Sequence, residues 1–339
     1  MNILQVGPNS IHVTLFSKAM IGHGVNCSFL AEETIGSFET QVISFRSANP
    51  LSWISNYQQL KSYLKKSKPA LVHIHQVNRM AVFVSRACRK LNIPVVVTAW
   101  GSDVLLVPNK SWMNKLLVQS VLKNAAVITA DADSMIDAIN SLTAPFKKEI
   151  HSIQYGIDPV ISKEPKDNLI FSNRLHSRLY NIDQVIADFA AFYQQHRDWK
   201  LVIGGTGDQT ENLKSLVAKR GVEEAVEFVG WLNAEQNAHW YSRAKIYVSI
   251  PESDGMSVSV LEALSAECIP VCSDIAVTHS WMKDGVNGII RKSNINPFEE
   301  ALAINQESCI KQNKEWVSSF AYRSATIPRF IAIYKKLLN

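Results

Sequence analysis

Asp254 and Glu262 stand eight residues apart, separated by Gly255-Met256-Ser257 and then an apolar run. That pattern reads as a loop opening a helix, with Asp254 in the loop and Glu262 two turns inside. The first N–H groups of a helix have no partner within it, so Met256, Ser257 and Val258 offer donors to a diphosphate or to sugar hydroxyls. A buried glutamate on the same helix can accept two hydroxyls of a ribose. An ordinary capping loop carrying a surface carboxylate fits the spacing equally well.

Other groupings carry less. Asp131-Ala132-Asp133 has the D-x-D form that chelates a metal with a donor diphosphate elsewhere, but it follows a strand and precedes Ser134-Met135-Ile136. Asp133 or Ser134 suits a helix N-cap there, and no metal is expected. Cys268 and Cys272 flank Ile-Pro-Val, which reads as a strand, so they are expected as small buried apolar side chains. Five cysteines are an odd count for a disulfide scaffold and point to a reducing cytoplasm.

The elements that must hold these residues alternate along the chain. Short apolar runs (Ile3–Val6, Asn26–Leu30, Gln41–Phe45, Ala70–Ile74, Pro94–Thr98, Ala126–Thr129, Glu149–Gln154) are separated by helical patterns such as Val13–Ile21, Trp53–Lys65 and Arg79–Lys90. A second series runs from Leu169–Ser172 to Gly288–Ile290. This rhythm predicts an α/β protein with two Rossmann-like domains, each a parallel sheet covered by helices. The stretch 156–167, with Gly156, Pro159 and Pro165, reads as the linker. The expected division is 1–158, 159–320 and a terminal helix in 321–339 that crosses back to the first domain.

Charge is lopsided. Up to Asp158 there are 15 basic and 9 acidic residues, and beyond it 20 and 21, within an overall net charge of +5. An anionic partner for the first half follows, either a membrane surface or a phosphorylated substrate. The opening residues lack the basic and apolar stretches of a signal peptide, and no window is long enough for a spanning helix.

With these pieces in place the sequence resembles the family-four retaining glycosyltransferases, two-domain enzymes of the GT-B fold. Asp254 to Ala263, continuing through Ile269-Pro270-Val271, is similar to the family's E-x7-E signature. Asp254 stands at the first glutamate, and Met256-Ser257 at the usual Phe-Gly. Gly22-His23-Gly24-Val25, Val72-His73-Ile74-His75, Gly101-Ser102-Asp103, Gly156-Ile157-Asp158 and Arg174-Leu175 with Asn181-Ile182-Asp183 fall in the family's order. So do Gly204 to Gly207, Phe228-Val229-Gly230-Trp231 and Asp284 to Gly288. The resemblance runs from residue 1 to about residue 295.

The resemblance implies parallel sheets facing across a cleft, with the first domain binding an acceptor and the second a nucleotide sugar. It implies that Arg174 binds the donor diphosphate, work that a guanidinium fork suits. It gives Glu262 the ribose and Asp254 the donor sugar, Asp254 being shorter than glutamate by about one C–C bond, ~1.5 Å. Donor contacts are implied for Gly7, Gly205, Gly230, Trp231, Gly255, Met256, Ser257 and Val258. The family's lysine after the arginine is replaced here by Leu179-Tyr180-Asn181, leaving Arg178 or His176 as substitutes. Trp100 stands where many relatives carry histidine, so His75, Trp100 and Asp103 become the polar lining of the acceptor side. A strand-end histidine is also commonly structural, and Asp103 suits a helix cap equally.

The expected activity is retaining, metal-independent transfer of a hexose or N-acetylhexosamine, with no cofactor. The acceptor is a hydroxyl of a glycan or lipid-linked glycan, in surface polysaccharide synthesis. Lys61, Lys65, Lys66 and Lys68, preceded by Trp53 and Tyr57, fit an anionic membrane surface on the cytoplasmic side, or equally a solvated helix face. A nucleic-acid partner is not expected, because the basic excess is small and lacks interleaved aromatics. A catalytically silent nucleotide-sugar-binding subunit remains open on the departures at Asp254, Leu179 and Trp100. A nucleotide-sugar 2-epimerase shares the fold but has no need of the acidic pair.

Overall fold

The computed structural model of the chain describes residues 1–47, 49–144, 146–162 and 165–339. The chain divides into two compact units, one formed by 1–156 with 323–339 and the other by 157–322.

The first unit starts with β1 (Asn2–Val6), α1 (Ile11–Gly22), β2 (Asn26–Ala31), β3 (Thr40–Val42) and α2 (Pro50–Ser67). It continues through β4 (Leu71–His75), α3 (Arg79–Leu91), β5 (Val95–Thr98), α4 (Ser102–Leu105), α5 (Val107–Lys110) and α6 (Trp112–Asn124). β6 (Val127–Ala130), α7 (Asp133–Thr143) and β7 (Glu149–Ser152) follow. The strands pair in parallel in the order β3-β2-β1-β4-β5-β6-β7. β4 and β5 are buried at every residue, which is why they read as unbroken apolar runs rather than alternating ones.

The second unit runs β8 (Asp167–Ser172), α8 (Ile182–Phe192), β9 (Lys200–Gly204), α9 (Thr210–Arg220), β10 (Val226–Gly230), α10 (Ala234–Arg243) and β11 (Ala244–Ser249). After these come α11 (Val258–Ser265), β12 (Ile269–Cys272), α12 (Ala276–His279), β13 (Ile289–Ile290), α13 (Pro297–Ala303) and α14 (Gln306–Phe320). Its parallel order is β10-β9-β8-β11-β12-β13. In both sheets the winding reverses beside the first strand, between β1 and β4 and between β8 and β11. Loops diverge at such a switch point, which leaves a crevice at the carboxyl ends of the strands.

The last helix, α15 (Arg323–Leu338), buries Ile327, Phe330, Ile333 and Tyr334 among Ile3, Phe16, Met20 and Val25 of the first unit. Four such side chains contribute about 6–12 kcal/mol of apolar burial. The Phe330 ring meets Phe16 at 4.9 Å, edge to face. Gly156 makes this packing possible, since a Cβ there would lie 2.6 Å from Thr326 Oγ1 and 2.9 Å from the Arg323 Cα.

Local departures from the sequence reading have clear causes. The run Gln41–Phe45 pairs only as β3, because Phe45 N–H donates to Glu32 Oε1 at 2.7 Å instead of to a strand. The N-cap of α7 is Ala132, which puts Asp133 in the first turn, where its charge meets the helix dipole; the Ser134 side chain lies outside the described residues. The helical pattern 297–306 is two helices, since Asn305 accepts the Ser308 N–H at 3.0 Å and starts α14 afresh. The Trp53 ring packs 6.0 Å from Phe83 and its Nε1 donates to Ser47 O at 2.8 Å, while Tyr57 sits 6.2 Å from Phe83. Both aromatics therefore belong to a local cluster.

Candidate functional site

At the switch point of the second unit, Arg174 leaves the end of β8 and meets the loop that leads from β11 into α11. Arg174 Nη2 donates to Asp254 Oδ2 at 2.6 Å, and Nη1 donates to Ser259 Oγ at 2.9 Å and to Ser257 Oγ. Its guanidinium also lies 4.4 Å from the centre of the Tyr180 ring. Arg174 and Asp254 are 80 positions apart in sequence and become neighbours because β8 and β11 are.

The electrostatics follow from burial. Burial disfavours charge on Arg174, yet Asp254, Tyr247 and Tyr180 more than offset it, so its pKa stays above the usual guanidinium value. Asp254 is raised above the ordinary carboxylate range, since burial outweighs what Arg174 and the Gly255 N–H give back. The pair is therefore a cation held with an acceptor that gains from release into a more polar setting. A second anion entering here would compete with Asp254 for the fork.

The loop that carries Arg174 is fixed from beneath by glycines. Gly205 has φ of +102°, and a Cβ on it would lie 2.5 Å from the Arg174 carbonyl oxygen; on Gly207 it would lie 2.3 Å from that of His176. The backbones cross where no side chain fits, tied by His176 N–H to Thr206 O at 3.1 Å and Gln209 N–H to His176 O at 2.9 Å. Gly205 thus positions Arg174 through backbone contact.

Glu262 lies on α11 and is tied to the same region. The Tyr241 hydroxyl bonds to it, and burial, Tyr247 and Glu262 keep that hydroxyl protonated. Asn173, next to Arg174, donates to Tyr241 Oη at 2.7 Å and to Asn237 Oδ1 at 2.6 Å, and accepts from Tyr247 Oη at 2.8 Å. Ser257 is the N-cap of α11 without a side-chain cap bond, its hydroxyl being taken by Arg174 instead of by the first-turn N–H groups. Asp254, Gly255, Met256 and Ser257 line a narrow cavity with Thr278 and Trp281.

Other residues named from sequence in the second unit are not among the hydrogen-bond partners of Arg174. Gly230 ends β10, and Trp231 beside it is 70% exposed. Arg178 lines a separate cavity of about 470 Å³ with Asp183, Gln209, Asn212 and Glu252. His176 is buried, its Nδ1 bonded to Thr210 Oγ1 at 2.9 Å. Val258 is the first residue of α11.

In the first unit, Gly7 follows β1 so close to β4 that a Cβ would lie 2.9 Å from the His75 Cβ. His75 is fully buried: Nε2 donates to Gln5 Oε1 at 2.7 Å, and Nδ1 accepts from the Tyr155 hydroxyl at 2.7 Å. Trp100 Nε1 donates to the same Tyr155 oxygen at 2.8 Å. Burial lowers the His75 pKa to about 3, so the ring is neutral. The Asp103 carboxylate accepts the Val77 and Trp100 N–H groups at 2.8 and 2.9 Å, while burial lifts its pKa to about 6. It staples the loops after β4 and β5 rather than capping α4, whose N-cap is Gly101.

Ser259, Tyr180, Asn173, Tyr241 and Tyr247 were not evident in the sequence. Ser259 had a signal, two residues from Ser257 inside the recognised signature, and Tyr180 lies in the stretch that replaces the family's lysine. Among the described residues, no group of three or more His, Cys, Asp or Glu side chains is placed to hold a metal ion. No helix among them is long and apolar enough to cross a membrane.

Residues 157–314 match the family "Glycosyl transferases group 1", and residues 4–132 match "Glycosyl transferase 4-like". The two matches lie one in each half of the chain, and the fold is of the GT-B type. Among the relatives of the chain is the GDP-mannose:cellobiosyl-diphosphopolyprenol alpha-mannosyltransferase of Xanthomonas oryzae pv. oryzae, 25% identical over 70% of this chain and 64% of that one. Another is the alpha-monoglucosyldiacylglycerol synthase of Streptococcus pneumoniae, 27% identical over 52% of this chain and 46% of the synthase. The chain thus spans less than two thirds of these relatives' lengths. Its fold matches Anabaena HepE, solved with UDP and glucose, with a TM-score of 0.81 at 12% identity over 99% of this chain and 100% of HepE.

Proposed function

We propose that the chain transfers a hexose or N-acetylhexosamine from a nucleotide diphosphate sugar to a hydroxyl of a glycan or lipid-linked glycan, with retention of configuration and without a metal. The second unit takes the donor and the first the acceptor, on the cytoplasmic side of a membrane, in surface polysaccharide synthesis. The observation that carries the donor half is the Arg174–Asp254–Ser257 cluster at the switch point, beside the start of α11. The names of the relatives, a mannosyltransferase using GDP-mannose on a polyprenol-linked sugar and a synthase of a glucosyl lipid, support the substrate classes.

In this reading the donor diphosphate takes over the Arg174 fork from Asp254. Asp254 then faces the sugar hydroxyls, and Glu262 holds the ribose. The bond from sugar C1 to the diphosphate oxygen breaks, and the acceptor oxygen bonds to C1 on the same face. The acceptor's proton passes to the departing phosphate oxygen. Negative charge grows on that oxygen as the bond breaks, so a fixed guanidinium stabilises the transition state more than the ground state. Charge-assisted bonds of this kind are worth about 1.5–3 kcal/mol each, roughly 10- to 150-fold in rate.

A panel of nucleotide sugars, screened for a rise in melting temperature, identifies the donor by mass action without an acceptor. Turnover of that donor is then measured in Arg174→Ala and Glu262→Ala. The proposal expects both to lose at least about tenfold. Turnover surviving both changes would remove the assignment, and binding without turnover in the parent would point to a silent subunit.

A further inference from the structure

Helix α6 is apolar on two sides. Its inner side buries Val118, Val121 and Leu122, with α3 and α5 as its neighbours. Its outer side presents Trp112 at 75% exposure, Met113 at 57% and Leu116 at 54%, and Leu106 just before α5 is 45% exposed. At 3.6 residues per turn, Trp112, Met113, Leu116 and Leu117 occupy one arc of about 140°, turned away from Val118 and Leu122, with Val121 at its edge. A soluble helix needs one apolar stripe, and a second one faces another apolar phase. Singly scattered apolar residues are ordinary on surfaces, but this is a contiguous cluster.

The charge around the cluster has one sign. No acidic residue occurs between Asp103 and Asp131, whereas Lys110, Lys115 and Lys123 do. Lys110 and Lys115 are exposed, and the Lys123 ammonium lies 4.8 Å over the ring of Phe146, itself 55% exposed. A tryptophan and aliphatic side chains ringed by lysines match a layer with an anionic face and an apolar interior. A second copy of the chain is a poorer partner, because a two-fold contact brings the same lysines together. On α2, Lys65, Lys66 and Lys68 are exposed, but Trp53 is occupied by Phe83 and Ser47, and the outward Leu51 and Ile54 sit two or more turns away from those lysines.

We propose that the α5–α6 face, from Leu106 to Leu117, is the surface by which this chain lies on an anionic lipid bilayer. This deepens the membrane partner of the proposed function and rests on that reading for its purpose, moving the contact from the α2 lysines to α6. Trp112, Met113 and Leu116 enter the headgroup–acyl boundary, and Lys110 and Lys115 stay at the phosphate level.

The test is co-sedimentation of the full chain with vesicles of equimolar phosphatidylcholine and phosphatidylglycerol, against phosphatidylcholine alone. The parent is expected to bind the anionic vesicles. Trp112→Ser with Leu116→Ser is expected to weaken binding at least about tenfold. Lys110→Gln with Lys115→Gln is expected to weaken it roughly fivefold per lysine, and Lys65→Gln with Lys66→Gln by less than twofold. Circular dichroism confirms that each variant is folded. The proposal is overturned if the parent ignores anionic vesicles, if the Trp112/Leu116 variant binds like the parent, or if the parent is a dimer that this variant dissociates. Donor binding, followed by melting temperature in the same samples, separates the two readings: vesicle binding without nucleotide-sugar binding sinks only the transferase reading, and the reverse sinks only the surface.

Discussion

Placing a methyl group at Gly207 tests whether backbone contact beneath the Arg174 loop sets donor affinity. The added Cβ would lie 2.3 Å from the His176 carbonyl oxygen and 2.7 Å from its carbon, where real contacts do not fall below 3.0 Å. Neither neighbour is a side chain that can swing aside, so one backbone must move by about 0.7 Å or more. That movement passes to Arg174, two residues earlier, and misplacing a charged fork by about 1 Å costs up to roughly 100-fold. Gly207→Ala is therefore expected to bind the donor nucleotide diphosphate about 10- to 100-fold more weakly by calorimetric titration while keeping its fold. Gly221→Ala is the control: Gly221 ends α9 at φ +66° with open space around it, so it carries backbone strain without a clash. It is expected to lose about 1 kcal/mol of stability and no affinity. Equal affinities for Gly207→Ala and the parent, at unchanged melting temperature, would refute the reasoning.

Other outcomes follow from the same contacts. Asp254→Ala removes the carboxylate that a diphosphate displaces, so UDP or GDP is expected to bind about fivefold tighter, about 1 kcal/mol for a part-buried pair, while transfer falls; weaker binding in titration would contradict the exchange. Tyr334→Phe takes the hydroxyl partner from the buried His73 Nδ1 and is expected to cost about 1–3 kcal/mol in urea unfolding, a value under 0.5 showing that the bond holds nothing. Acid is expected to weaken the first unit: His75, held near 3, contributes stability that is complete above about 6.5 and lost as pH falls, about 2 kcal/mol by pH 5. His73, lowered well below the usual range by burial and by His75, acts in the same direction, while Asp103, raised to about 6, returns about 1 kcal/mol. Stability that holds level or rises between pH 7 and pH 5 would count against neutral, buried histidines.

The strands were legible because a parallel strand covered on both faces is an uninterrupted apolar run, as Val95–Thr98 and Leu71–His75 are. Single-turn helices such as α4, α5 and α12 were not, since four residues hold no period to read. Helix limits turned on individual caps, such as Asn305, that compete with the apolar pattern. In the site, residue types and local spacing picked out Asp254, Ser257 and Glu262 and the family resemblance added Arg174, but neither reveals that the arginine pairs with the aspartate. That contact follows from winding order, which brings β8 beside β11. Asn173, Tyr241 and Tyr247 carry side chains common in any core, and only their mutual bonds connect Arg174 to Glu262. His75 ends a strand, where sequence suggests an outward ring, yet Gln5 and Tyr155 enclose it.

The account's central claim is that Arg174 is the diphosphate contact of a nucleotide-sugar site. Calorimetric titration of a nucleoside diphosphate and its monophosphate, UDP with UMP or GDP with GMP, into the parent and Arg174→Ala isolates that contact. The parent should prefer the diphosphate by roughly 10- to 150-fold, the worth of one charge-assisted bond, and the variant should lose that preference while keeping its monophosphate affinity. An undiminished preference in folded Arg174→Ala would contradict the claim.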